Sequence, residues 1–263
     1  MRELCKEIAD AVEEAVEPIT GELSSGEVVG MGADGTPTKQ IDDVAEERAL
    51  EVAKEHGDLR VVTEESGEVV YGDPTHTVVL DPVDGTYNAT KGVPFYSVSV
   101  AVADGETVDT VRYAHVRELM TGRSYTAEHG EGAYFEGRSI EVGNESTPAK
   151  MTVCGVYNIE GFDPSRFKRV RLLGCSSLEL CYVAARRFDG FLDVRSRLRV
   201  IDFAAAKLIV EEAGGVVTDG YGDELENVIE ADQRTTVVAG GPRTHEGIMD
   251  VLEKGDDAGG VSE

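Results

Sequence analysis

Leu4, Ile8, Val12, Ala15 and Ile19 recur at three- and four-residue intervals, which places them on one face of a helix. The stretch from Gly21 to Gly35 reads as a loop, and Ile41, Val44, Ala45, Ala49, Val52 and Ala53 predict a second helix. Strand-like runs follow at Leu59 to Thr63, Thr77 to Leu80, Tyr96 to Val102, Val108 to Val116 and, punctuated by glycine, Gly122 to Val142. Short turns between them favour an antiparallel sheet. Beyond about residue 150, strands at Val170 to Leu173, Phe191 to Val194, Val216 to Thr218 and Thr235 to Ala239 are interspersed with helices at Leu178 to Arg187, Phe203 to Ala213 and from Thr244. That arrangement implies an α/β layer. The chain thus divides into an α+β part, residues 1–150, and an α/β part, residues 151–263, with a fraying tail from Lys254.

At 263 residues the chain is long enough to bury a large core without disulfides. Its 51 acidic residues outnumber 25 basic ones, a net charge of −26 that excludes broad affinity for nucleic acid or anionic membrane. No apolar run approaches the roughly 20 residues of a membrane span. The start, MRELCKEIADAVEE, carries acids where a signal peptide is apolar, so a soluble cytoplasmic protein is expected. Four cysteines without C-x-x-C spacing offer neither a zinc site nor a redox pair and read as buried thiols. The acid excess, with arginine outnumbering lysine, suits a salt-rich cytoplasm in which counterions screen repulsion. Residues 166–199 run against the trend: nine basic residues face three acidic ones, a local +6 fitted either to a substrate's second anionic group or to a subunit interface.

Candidate chemistry is concentrated in three acidic motifs. In VVLDPVDGTYN, residues 78–88, an apolar strand runs into Asp81 and Asp84, with Pro82 restricting the chain between them. The two carboxylates and the Val83 carbonyl are hard oxygen donors of the kind magnesium takes. If a helix begins at that point, the N–H groups of Gly85 and Thr86 would face a phosphate; a plain D-G turn is the alternative. In VVTEES, residues 61–66, the adjacent acids Glu64 and Glu65 repel each other unless a cation lies close by. In RVIDFAAAKLIVEEAGG, residues 199–215, Asp202 sits where a helix N-cap belongs and either caps the helix or supplies a third ligand. An EF-hand is excluded, because counting from Asp81 puts Gly92 where a bidentate glutamate is required.

Together these motifs resemble the inositol monophosphatase superfamily: Glu64-Glu65, then Asp81-Pro82-Val83-Asp84-Gly85-Thr86, then Asp202-Phe203-Ala204-Ala205 leading to Glu212-Ala213-Gly214-Gly215. The stretch RVRLLGCSSLELCYVA, residues 169–184, is most similar to archaeal members that hydrolyse both fructose 1,6-bisphosphate and inositol monophosphate. The resemblance implies a layered αβαβα fold, usually homodimeric. It implies two or three Mg²⁺ ions held by Glu64, Asp81, Asp84, Asp202 and the Val83 carbonyl, with Gly85 and Thr86 against the phosphate. Thr86 and an aspartate of the second helix, Asp42 rather than its neighbour Asp43, would activate the attacking water, and Glu65 would stand behind the ligands in support of catalysis.

The chain departs from the inositol-specific pattern at Arg195, where such members carry a glutamate for ring hydroxyls. A guanidinium there suits a second phosphate, joined by Tyr157, Arg171 and Ser176; an ion pair with Asp193 is the alternative. The expected activity is Mg²⁺-dependent hydrolysis of fructose 1,6-bisphosphate and inositol 1-phosphate. Adenosine 3′,5′-bisphosphate or NADP as substrate is one rival, and a non-catalytic acidic cation-binding module is another.

Overall fold

Helix α1 (Arg2–Val16) buries Leu4, Ile8, Val12 and Val16 along one stripe. It stops short of Ile19 because Pro18 cannot continue the hydrogen-bonded spiral, and Glu17–Ile19 tighten into a 3₁₀ turn. The expected loop holds a small antiparallel hairpin, β1 (Val28–Met31) with β2 (Pro37–Lys39), whose first strand is exposed throughout and so leaves no burial pattern to read. Helix α2 (Gln40–His56) then packs against α1. The computed structural model describes residues 1–33, 35–155 and 163–256.

Eight strands form the first sheet: β3 (Leu59–Thr63), β4 (Gly67–Tyr71), β5 (His76–Asp84) and, after the short helix α3 (Thr86–Thr90), β6 (Ser97–Ala103), β7 (Val111–Glu118), β8 (Arg123–Glu128), β9 (Gly132–Phe135) and β10 (Arg138–Ser139). Their order is β10-β9-β8-β7-β6-β5-β3-β4, antiparallel except that β3 and β5 run parallel. The edge strand β4 escapes sequence reading because none of its residues is fully buried. Val108–Thr110 coil into a 3₁₀ turn, which delays β7 to Val111.

The second sheet comprises β11 (Thr152–Cys154), β12 (Arg169–Val170), β13 (Gly190–Arg199), β14 (Val216–Thr218) and β15 (Arg234–Gly240), in the order β12-β11-β13-β15-β14. Helices α4 (Ser176–Ala184) and α5 (Val200–Glu212) lie between the sheets, while α6 (Pro242–Asp256) covers the outer face of the second. With α1 and α2 on the far side of the first sheet, the layers read αβαβα. Helix α5 is buried continuously from Val200 to Val210, Lys207 included. A helix pressed between two sheets needs an apolar surface all round rather than one stripe. Its start at Val200 corrects the expectation of an N-cap at Asp202, which is instead the third helical residue, with Arg199 as the cap.

Candidate active site

In a regular strand, residues three apart point to opposite faces. The pairing of β5 with β6 slips in register between Asp81 and Asp84, so the alternation breaks there and both carboxylates are buried close enough to repel each other. Gly85 makes the next turn with φ 88°; a Cβ there would stand 3.1 Å from the Gly174 carbonyl, the Phe95 carbonyl and the Cys175 side chain. Asp84 accepts from the Ser177 amide (2.7 Å) and hydroxyl (2.6 Å) at the start of α4. The first sheet and the middle helix layer are thereby tied together at the carboxylate.

The Glu64–Glu65 turn is moored from α2. Buried Glu46 accepts from the Thr63 hydroxyl at 2.8 Å, the Glu65 amide at 2.9 Å and the Ser66 amide at 2.8 Å. Thr38 of β2 donates to the Glu65 carboxylate. On the same helix Asp42 is buried whereas Asp43 is exposed, so Asp42 is the neighbour that faces inward, where it hydrogen-bonds Thr86. The Thr86 hydroxyl, with one proton, has a second acceptor in the Val83 carbonyl at 3.0 Å.

Asp202 enters from α5. It accepts from the Arg199 amide at 2.8 Å and from Nη2 of the same residue at 2.8 Å. Nη1 of Arg199 reaches Glu64. Glu64, Asp81, Asp84 and Asp202, drawn from both halves of the chain, thus form one anionic cluster with a guanidinium inside it.

The cluster is electrostatically strained. Burial, followed by the charge of Glu64, pushes Asp42 up to about 7, and burial with Asp202 pushes Asp84 up to about 6. Asp81 is raised by burial first and then by Asp84, Glu64 and Asp202. A multivalent cation with a taste for hard oxygen would relieve all three, and the donor set of carboxylates and a backbone carbonyl fits a divalent ion of the magnesium type. Among the described residues, no three such side chains are gathered tightly enough to hold an ion as they stand. Two of the acids, Glu64 and Asp202, are engaged by Arg199.

The residues expected to contact substrate have the following surroundings. Arg195 lies in a wide irregularity of β13 between Asp193 and Leu198 and pairs with buried Asp193, its Nε 2.9 Å from Oδ1. Arg171 is exposed and donates to the Val170 carbonyl, Ser176 is buried at the first turn of α4, and Tyr157 lies outside the described residues. The basic stretch 166–199 is not one patch: Arg187 stacks over Tyr182 at 4.4 Å, Arg195 is tied to Asp193, and Arg199 sits in the acidic cluster. Glu46, Ser177 and Arg199 escape the sequence reading. Glu46 has left a signal nonetheless, since it falls one helical turn after Asp42, an acid on the otherwise apolar face of α2.

The model of the inositol monophosphatase family matches residues 1–256. A fructose-1,6-bisphosphatase/inositol-1-monophosphatase of Methanothermobacter thermautotrophicus is 41% identical, over 94% of this chain and 94% of that one. A bifunctional NADP phosphatase/NAD kinase of Methanococcus maripaludis is 35% identical over 96% of this chain but only 49% of its own length. Among solved structures, an inositol monophosphatase-fructose 1,6-bisphosphatase superposes with a TM-score of 0.87 at 32% identity, covering 95% of this chain and 98% of that one. Use of divalent metal ions is general in the family. With the acidic motifs, the layered fold and end-to-end similarity all in agreement, this chain is a phosphatase of the inositol monophosphatase family.

Proposed function

We propose that the protein is a Mg²⁺-dependent phosphatase of small sugar phosphates, acting on the 1-phosphate of fructose 1,6-bisphosphate and on inositol 1-phosphate. The observation that carries this reading is the meeting of Glu64, Asp81, Asp84 and Asp202 beside the Asp42–Thr86 pair. In this reading residues 1–150 supply most of the ligands, including the Val83 carbonyl, residues 151–263 supply Asp202, and two or three ions bind per site. When bound, such ions acidify water and neutralise phosphoryl oxygens, so no covalent nucleophile is needed.

The chain's own groups do the rest. With its proton turned to Asp42, the Thr86 hydroxyl offers its lone pairs to a water and aligns it for attack. Asp42, buried and hydrogen-bonded to that hydroxyl, accepts the proton passed along it. Glu65, fastened by Thr38 and by the mooring of its own amide to Glu46, keeps the turn in place. The amides of Gly85 and Thr86 lie on the phosphate side. Arg195, its plane fixed by buried Asp193, meets the distal phosphate of a bisphosphate together with Arg171, Ser176 and Tyr157. The active form is a homodimer in the cytoplasm.

Phosphate release from fructose 1,6-bisphosphate, inositol 1-phosphate, adenosine 3′,5′-bisphosphate and NADP, with Mg²⁺ and with EDTA, tests the assignment. NADP belongs in the panel because of the similarity to an NADP phosphatase/NAD kinase. The expected outcome is Mg²⁺-dependent release from the first two, abolished by Asp84→Asn. Thr86→Ala should lower kcat more than it raises KM, because its hydroxyl orients water rather than substrate. Full turnover in EDTA would refute the metal reading, and preference for NADP would move the substrate class.

A further inference from the structure

Arg199 engages two of the carboxylates through which the proposed cations would be held. It is the last residue of β13 and the cap of α5, and its side chain is only 14% exposed. Nη2 lies 2.8 Å and Nε 3.2 Å from Oδ1 of Asp202, while Nη1 is paired with Glu64, 135 positions away in the chain, in the turn between β3 and β4. Capping α5 does not require this reach, because the Arg199 backbone amide alone satisfies Asp202 Oδ2 at 2.8 Å. The guanidinium therefore has a separate task.

That task follows from electrostatics. Several carboxylates in a water-poor space destabilise the fold unless a counter-charge sits among them. Arg199 supplies it, answering Glu64 and Asp202 directly and Asp81 through space. Yet Glu64 and Asp202 are also the acids through which a divalent ion would be held. An ion of the magnesium type approaches its oxygens to about 2.0–2.1 Å and repels a second cation on the same carboxylate. The guanidinium and the ion compete for Glu64. Arg199 is kept beside Asp202 by its backbone amide and by Nε and Nη2, all of which donate to that carboxylate, so the contact that can open is the long-range one to Glu64.

We propose that Arg199 is a built-in counter-cation that holds the carboxylate cluster together before metal binds, and that metal uptake is an exchange in which the Arg199–Glu64 ion pair breaks. This rests on the metal reading above. It makes the folded state independent of metal and sets a ceiling on metal affinity, since every binding event must undo a buried ion pair.

The test is calorimetric titration of Mg²⁺ into EDTA-stripped, dialysed protein, together with thermal unfolding in EDTA and in saturating Mg²⁺, for the wild type and Arg199→Gln. Arg199→Gln should melt below the wild type in EDTA and bind Mg²⁺ about tenfold more tightly. In saturating Mg²⁺ the gap in Tm should close, because the wild type has by then given up the pair. A gap of equal size with and without Mg²⁺, or Mg²⁺ binding by Arg199→Gln that is unchanged or weaker, overturns the exchange and leaves the metal reading standing. If the wild type shows neither binding heat nor a Mg²⁺-dependent Tm, both fall together. Should Arg199→Gln fail to fold, Arg199→Lys, which keeps the charge but loses the two-pronged fork, must show the same closing gap.

Discussion

Buried His115 on β7 has one ring nitrogen 3.0 Å from the Ser124 hydroxyl and the other, Nδ1, without a hydrogen-bond partner among the described residues. Burial first, and then the positive charge of Arg117, push its imidazole down to about 4. The folded protein thus keeps His115 neutral at a pH where the unfolded chain takes up a proton near its ordinary value of about 6.5. Stability from this residue is present above about pH 6.5 and lost as the pH falls through 4. By linkage, a depression of that size corresponds to about 3 kcal/mol. His115→Gln retains a partner for Ser124 but cannot titrate. Urea unfolding between pH 7 and 4 should therefore show a loss about 3 kcal/mol smaller in His115→Gln than in the wild type. Parallel curves would mean that the imidazole is protonated in the fold.

At the scale of elements, the placing of the Glu64–Glu65 turn depends on how α2 grips it. Glu46 accepts three hydrogen bonds there, one from the Thr63 hydroxyl at the end of β3 and two from backbone amides of the turn. Removing the carboxylate leaves buried donors unsatisfied, so Glu46→Ala should cost about 3 kcal/mol in chemical denaturation. Glu46→Gln, which keeps an acceptor oxygen, should cost about 1 kcal/mol. Phosphate release should fall in both variants by more than the fraction unfolded, because Glu64 and Glu65 lose their fixed positions, and added Mg²⁺ should not restore it. Wild-type turnover in folded Glu46→Ala would separate the turn from the chemistry.

On the scale of the whole molecule, a net charge of −26 on 263 residues makes self-repulsion the dominant long-range force. The basic stretch 166–199 does little to offset it as a field, since Arg187, Arg195 and Arg199 are each neutralised locally by Glu118, Asp193 and the acidic cluster. Screening acts on what remains: the Debye length falls from about 30 Å at 0.01 M salt to about 3 Å at 1 M. The melting temperature should rise steadily across that range of KCl. A flat or falling profile would show that the surface acids are already balanced and that the composition is unrelated to salt. No described helix is long and apolar enough to cross a membrane.

The sequence alone determines those features whose physical cause is local. The apolar stripes of α1 and α2, the buried run of β5 and the glycine turn after Asp84 need only neighbours a few residues away, and all are legible in periodicity and turn chemistry. So is the presence of acids at the ends of β3 and β5 and near the start of α5. Exposed or very short strands such as β1, β4 and β11 are not legible, because they bury too little on one face to impose an alternating pattern. Tertiary structure decides that Asp42 rather than Asp43 faces inward, that Glu46 moors the Glu64 turn, and that Arg195 is tied to Asp193. It also decides that a guanidinium from the second sheet reaches an acid 135 residues away in the turn after β3. Burial and charge pairing between distant segments exist only once two sheets close on a shared helix layer, and it is this closure that turns separate acidic motifs into one site.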